Sequence, residues 1–202
     1  LMLEFSEGSN EADVINASIG FDNAWHLDGT SPYSQAVDAV AESGTLYVAP
    51  AGNEAENYRS GFLSDTDSDG WLEIDGVEGV VVGTTVSNSS RRAQVSLRWS
   101  DPMLESGNDL DLWVFSGDEQ EECGRSDDPQ GGQESPFESV DCETFSSEAV
   151  AQISAQEGAD FLGKKAWIYS AAGVDEDYFV SEGTLSLPAD AQGALTVGAY
   201  LQ

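Results

Sequence analysis

The residues best placed for chemistry lie where two short apolar runs end. Residues 13–20 and 46–49 each contain such a run, and a Gly52-Asn53 pair follows the second. Open α/β sheets bind their ligands beyond the carboxyl ends of parallel strands, which is where these residues would lie. The side-chain amide of Asn53 can donate hydrogen bonds there. A Gly-Asn pair alone is an ordinary turn, so the surrounding elements decide its meaning.

A second set of residues with chemical potential is rich in carboxylates. Asp65, Asp67 and Asp69 occupy alternate positions, and Gly70 follows them. This spacing is typical of the start of a calcium loop, because carboxylate oxygens suit a hard cation and Gly allows the sharp turn. The twelfth position holds Gly76 instead of Glu, and no helices are predicted on either side. Calcium is the one cofactor that the sequence suggests, and a chance run of Asp is the alternative.

The elements that would position Asn53 form a strand–helix–strand unit. Ser31 is a good N-cap, Pro32 suits the first helical position, and Gly44 is typical of the residue that follows a helix. Apolar residues recur between them with helical spacing. The two apolar runs lack clean alternation, as in parallel strands covered on both faces. Residues 1–57 are therefore predicted to be an α/β unit with a right-handed crossover.

The texture of the sequence changes in the middle of the chain. Residues 58–182 are rich in Gly, Ser and Asp, and no helical pattern separates their short apolar runs. Clear alternation at residues 95–99 and 109–115 indicates antiparallel strands. We expect an all-β antiparallel sandwich or jelly roll here. It would interrupt the α/β core, which resumes with a returning strand in residues 183–202.

Several short motifs, taken in order, resemble the core of subtilisin-like serine proteases, the subtilases. These motifs are residues 13–20, 51–54, 188–190 and 197–199. Each motif is weak by itself, but their order and the helix between the first two agree with the family. The middle of the chain is similar to the jelly-roll (pre-peptidase C-terminal-like) modules of secreted subtilases. Residues 96–102 and 108–113 carry that second likeness.

The resemblance implies roles for particular residues. Asn53 would donate a hydrogen bond to the oxyanion that develops on the scissile carbonyl. The pocket for the residue before the scissile bond would be lined by Ser18, Ile19, Gly20, Ala51 and Gly52. Exposed backbone in these segments could pair with an extended chain, so a protein or peptide substrate is implied.

The catalytic triad of such a protease is not recognisable in these residues. His26 is the single histidine. It follows the strand predicted in residues 13–20, which would form one wall of the cleft, and it lacks the family's His-Gly-Thr setting. We therefore interpret it as a loop residue. Ser31 ends a Gly-Thr-Ser tripeptide but precedes Asn53, and a helix N-cap explains it better. No Asp-Ser/Thr-Gly motif occurs. We expect the catalytic Asp and His before Leu1 and the Ser after Gln202, which would leave this chain inactive alone.

The charge of the chain limits its partners. Seven basic and 38 acidic residues give a formal net charge of −31. Nucleic acid is excluded as a partner, because phosphate binding needs Lys and Arg. No apolar run approaches the roughly 20 residues that a membrane span needs. Since the acids are spread along the whole chain, we expect a high-salt organism, where salt screens their repulsion. The resemblance to secreted subtilases implies a secreted protein.

The two cysteines bracket a loop rich in Gly, Ser and Pro. Cys123 and Cys142 have no zinc-ligand spacing and no nearby His. Secretion favours a disulfide between them. Two buried thiols are the alternative.

Three hypotheses about function follow from these patterns. The first is a fragment of a secreted subtilisin-like endopeptidase with a β-sandwich inserted beside its cleft. The second is a non-catalytic β-sandwich module that binds carbohydrate, a cell surface or calcium. The third is a degenerate relative of the subtilases. The triad motifs in the complete reading frame would separate the first from the third.

Overall fold

The computed structural model describes residues 12–87, 89–117, 121–180 and 184–198. The chain divides into two compact units. One unit combines residues 1–55 with residues 183–202, and the other comprises Glu56–Glu182. Most of the described residues in regular structure are in strands, and a single helix occurs among them. That helix is 11 residues long, so within the described ranges no helix has the length and apolar character of a bilayer span.

The first unit contains a small parallel sheet. Its elements in chain order are β1 (Val14–Asn16), α1 (Pro32–Glu42), β2 (Leu46–Pro50) and β13 (Ala194–Val197). The spatial order is β1-β2-β13, and both pairings are parallel. The closing strand therefore pairs directly with β2, although more than 140 residues separate the two along the chain. The carboxyl ends of all three strands meet at one edge of the sheet.

The ends of α1 follow from local sequence. The Ser31 side chain accepts a hydrogen bond from the backbone N–H of Ser34 at 2.9 Å, and Pro32 begins the helix. Val37 and Val40 are fully buried on its inner face. Gly44 follows the helix with φ of +97°, a conformation that glycine adopts without strain. Local residues therefore set where α1 begins and ends between β1 and β2, and its buried valines pack it against the sheet.

The two faces of the parallel sheet differ in exposure. Tyr47 and Ala49 are buried in a cluster with Val37 of α1. On the opposite face Leu195 and Val197 are about half exposed. The apolar runs predict strands covered on both faces, and within this chain that prediction is wrong for one face. The helix covers only one side, because α1 lies in the connection from β1 to β2, whereas the connection from β2 to β13 contributes no helix among the described residues.

The second unit is built from ten antiparallel strands. The strands are β3 (Tyr58–Ser64), β4 (Trp71–Ile74), β5 (Val80–Gly83), β6 (Thr85–Ser87), β7 (Ser90–Trp99), β8 (Leu110–Ser116), β9 (Glu121–Ser126), β10 (Phe137–Thr144), β11 (Glu148–Ala155) and β12 (Lys165–Ser170). The main spatial order is β10-β7-β12-β3-β4-β11-β8-β9. In addition, β5 pairs with β11 and β6 pairs with β7. The interior is apolar and includes the fully buried side chains of Leu97, Trp99 and Leu112.

The antiparallel sheet is curled, and a disulfide joins its two edges. The spatial order begins with β10 and finishes with β9, yet these two strands lie side by side. Cys123 of β9 is bonded to Cys142 of β10, with 5.8 Å between their Cα atoms. The disulfide is thus a covalent bridge across the seam where the curled sheet meets itself.

Replacing both cysteines by Ser is expected to lower the free energy of unfolding of the second unit by about 3 kcal/mol, because the bridge restricts the unfolded chain. Denaturant titration followed by circular dichroism measures this loss. Reducing the unaltered protein should reproduce it, whereas the double variant should not respond to reductant. Equal denaturation midpoints for the oxidised protein and the variant would contradict the expectation.

Candidate active site

The turn after β2 is held by the closing segment of the chain, residues 184–198. The backbone N–H of Ala51 donates to the carbonyl of Val197 at 2.8 Å, and the N–H of Ser186 donates to the carbonyl of Ala51 at 3.1 Å. Gly52 adopts a φ of +99°. A Cβ at this position would also lie 2.5 Å from Ser186 Oγ and 2.7 Å from Glu54 Oε2. Both the backbone conformation and the space therefore require glycine immediately before Asn53.

Asn53 lies exposed at the carboxyl-terminal edge of the parallel sheet. Its backbone N–H donates to Glu54 Oε2 at 2.5 Å. The side chain is exposed and makes no hydrogen bond to any residue that the structure describes. An amide in this setting has two N–H donors available for a ligand.

The segment after β1 lies at the same edge. The N–H of Ala17 continues the pairing with β2 by donating to the carbonyl of Val48 at 3.1 Å. Ser18, Ile19 and Gly20 follow and are all exposed. The predicted pocket residues therefore fall in two segments that leave adjacent strands. An open groove is lined by residues of all three strands together with Ser18 and Gly198, which follow β1 and β13. The other predicted pocket residues, Ile19, Gly20, Ala51 and Gly52, are not among those that line it. Ala199, the last residue of the motif at residues 197–199, lies outside the described residues.

Ser186 connects these two segments, and sequence reasoning did not find it. Its side chain is 3% exposed. Ser186 Oγ donates to Asp22 Oδ1 at 2.6 Å and also lies 3.2 Å from Glu54 Oε2. Burial raises the pKa of Asp22, the hydrogen bond from Ser186 opposes this rise, and the negative charge of Glu54 adds to it. The only sequence signal for Ser186 is its position two residues before Pro188, the first residue of the motif at residues 188–190.

Two residues that imitate catalytic groups have other surroundings. Ser31 is fully buried and caps α1. His26 lies outside the helix and the strands. Burial opposes ionisation of nearby Asp28, but the hydrogen bonds from Thr30, with a smaller contribution from His26, lower the pKa of Asp28 below its usual value.

The predicted metal ligands converge in the loop between β3 and β4. Carboxylate oxygens of Asp65, Asp67 and Asp69 all lie within 4.8 Å of one another. Asp65 Oδ1 accepts the N–H of Ser68 at 2.7 Å. Burial raises the pKa of nearby Glu78, and the charges of Asp69 and Asp67 raise it further. Three converging carboxylates could hold a metal ion, and such a donor set fits a hard cation.

Comparisons with known proteins come from sequence and from structure. Residues 2–105 match the family model described as Subtilase family, which is more than half of the chain. No curated protein matches the chain at a significant level. A solved structure of the Clostridium perfringens CspB protease is similar in fold, with a TM-score of 0.55 and 16% sequence identity. The similarity covers 99% of this chain and 44% of the CspB chain, so this chain spans less than half of that protein's length.

Proposed function

Because the chain belongs to the subtilase family, we propose that it supplies the oxyanion-hole Asn and part of the substrate cleft of a subtilisin-like serine endopeptidase. Asn53 is the proposed oxyanion donor. The observation that carries this proposal is its exposed side-chain amide, which bonds to no residue that the structure describes, at the carboxyl end of β2 in a turn set by Gly52. A preorganised donor of this kind stabilises the charge that develops on the carbonyl oxygen during acyl transfer.

The substrate is proposed to be a protein or peptide. Ser18, Ile19 and Gly20 on one side and Ala51 and Gly52 on the other would line the pocket for the residue before the scissile bond. The exposure of the first three and the shared edge of the sheet support this placement. An extended peptide could pair with their backbone as an added strand, which leaves the scissile carbonyl near Asn53.

The nucleophile, base and orienting acid are proposed to lie outside these 202 residues. The half-exposed apolar side chains of Leu195 and Val197 support this, since a parallel sheet is normally covered on both faces. The share of the CspB chain that is matched, 44%, agrees with a partial core. On this proposal the chain presents a donor and a pocket but cannot form an acyl-enzyme by itself.

We also propose that residues 58–182 are a sandwich or jelly-roll domain inserted into an α/β core formed by residues 1–57 and 183–202. Such a domain could grip protein substrates. The disulfide across its seam supports a secreted protein. The net charge of −31 supports a high-salt environment, in which the repulsion is screened.

Calcium is the proposed occupant of the Asp65, Asp67 and Asp69 loop. The oxygen-only donor set and the loop shape support this ion over a softer metal. The ion would brace the loop between β3 and β4 and has no proposed part in peptide hydrolysis.

A serine-directed covalent probe tests whether the catalytic nucleophile lies outside these 202 residues. The isolated chain should not be labelled and should not hydrolyse casein, whereas the protein produced from the complete reading frame should do both. Labelling that is blocked by a peptide aldehyde identifies the true nucleophile. Labelling of the isolated chain at an active-site Ser, or no labelling of the complete protein, would contradict the proposal.

A further inference from the structure

Three segments distant in sequence meet directly behind the turn that carries Asn53. Asp22 follows β1, Glu54 follows β2, and Ser186 precedes β13. Asp22 and Ser186 are 164 positions apart, and Glu54 and Ser186 are 132 apart. Ser186 is the most buried of the three, and its hydroxyl lies within hydrogen-bonding distance of both carboxylates.

Ser186 also sets the spacing between the two segments that line the proposed pocket. A Cβ on Gly20 would lie 2.5 Å from Ser186 Cβ, and a Cβ on Gly52 would lie 2.5 Å from Ser186 Oγ. Both glycines therefore pack directly against this one side chain. The backbone N–H of Ser186 also donates to Ala51. A change at Ser186 is consequently transmitted to both sides of the pocket.

The hydroxyl of Ser186 has one hydrogen to donate but two carboxylate oxygens within hydrogen-bonding distance. Ser186 Oγ is 2.6 Å from Asp22 Oδ1 and 3.2 Å from Glu54 Oε2. The same Glu54 oxygen accepts the backbone N–H of Asn53. When both carboxylates are ionised, the hydroxyl can donate to only one of them. The shorter distance assigns that bond to Asp22 and leaves Glu54, among the described residues, with the backbone N–H of Asn53 as its donor.

We propose that Ser186 is a positioning residue for the oxyanion turn, and that its hydroxyl couples the protonation of Asp22 to Glu54 and thereby to Asn53. A protonated Asp22 donates to Ser186 Oγ, so the Ser186 hydrogen turns to Glu54. An unbroken series of hydrogen bonds then runs from Asp22 through Ser186 and Glu54 to the backbone N–H of Asn53. The coupling itself is a property of this network, and its value for catalysis rests on the proposed function of Asn53.

The direction of the pH effect follows from the surroundings of Asp22. Glu54 is the charged group that acts on Asp22, and among the described residues the closing segment offers it the hydroxyl of Ser186. Burial and the charge of Glu54 raise the pKa of Asp22 above its usual 3.8. Protonation of Asp22 is therefore easier in the folded than in the unfolded chain. Protonated Asp22, and with it the unbroken series of hydrogen bonds, is therefore favoured at acidic pH and is lost as the pH rises through the raised pKa of Asp22.

Two-dimensional NMR of the isolated 202-residue chain tests the coupling. In the unaltered chain the backbone amide of Asn53 should show a titration step with the same midpoint as the carboxyl carbon of Asp22. In Ser186→Ala, Asp22 should still titrate but the step at Asn53 should disappear. Below that midpoint the Asn53 amide should also exchange with solvent about fivefold faster than in the unaltered chain, as for the loss of one hydrogen bond.

Asp22→Asn provides the complementary variant. Its side-chain amide can donate to Ser186 as a protonated Asp would, so the step should be missing and Asn53 should exchange slowly at every pH. Asp28→Asn is the control, because Asp28 caps Thr30 in the same unit and its loss should leave Asn53 unchanged. An undiminished step in a folded Ser186→Ala chain overturns the proposal. If that variant does not fold, rapid exchange of Asn53 in Asp22→Asn overturns it.

These outcomes are independent of the proposed function. The NMR readout requires no catalysis, whereas the oxyanion role is tested by turnover of Asn53→Ala in the complete protease. Intact coupling with unaffected turnover would remove the oxyanion role and keep the network. Lost turnover without coupling would remove the network and keep the oxyanion role.

Discussion

Replacement of Asn53 by Ala in the complete protease is expected to lower kcat by about 10²- to 10³-fold, with little change in KM. Loss of the side-chain oxyanion donor of subtilisin has an effect of this size. The expected split between kcat and KM arises because the donor acts on charge that develops only in the transition state. Steady-state kinetics on a chromogenic peptide measure it. The exposed Asn53 side chain has no structural hydrogen bond among the described residues, so its truncation should leave folding intact.

The matched control is Gln192→Ala. Gln192 is also an exposed amide of the first unit, but it precedes β13 and so lies toward the opposite end of that strand. Its variant should retain the turnover of the unaltered protease. A fall in kcat of less than about threefold for Asn53→Ala would indicate that another group stabilises the oxyanion.

Replacement of Trp99 by Ala is expected to destabilise the second unit by about 3–5 kcal/mol. Trp99 ends β7 and is fully buried in the apolar core of this unit, so its truncation leaves a large cavity. Its indole N–H donates to Ser106 Oγ at 3.2 Å, and Ser106 in turn donates to buried Asp101. The substitution therefore also removes a donor from a buried polar network. Denaturant titration monitored by circular dichroism gives the change.

Phe145→Ala is the control for the loss of an aromatic ring. Phe145 is 92% exposed between β10 and β11, so its removal should alter the free energy of unfolding by less than about 0.5 kcal/mol. Similar losses for the two variants would show that Trp99 does not lie in the core.

The local features of the first unit were accessible from sequence because each depends on neighbouring residues. Ser31, Pro32 and Gly44 predict the beginning and end of α1, and the helix occupies that span. The family resemblance was likewise accessible from short motifs, and the family assignment confirms it. The α/β class of the core and the jelly-roll form of residues 58–182 stay predictions, since the described chain is mainly strand with one helix.

The bare face of the parallel sheet was not accessible from sequence. Apolar residues on both sides of β2 predict burial on both faces, but Leu195 and Val197 of the neighbouring strand remain half exposed. Sequence patterns report which surfaces need a partner, and they do not report whether the partner belongs to the same chain. The curl of the antiparallel sheet was hidden for a related reason, because the edge strands β9 and β10 meet only after eight strands have paired.

The sequence by itself determined that an amide would follow a glycine at the end of a strand, because turn and strand preferences act over a few residues. Only the tertiary structure decided what stands behind that amide. Ser186 reaches Asp22 and Glu54 after the whole second unit has intervened in the chain. No local preference encodes a contact between side chains more than 130 positions apart. It arises because β13 pairs with β2 and carries the closing segment to the edge where the cleft forms.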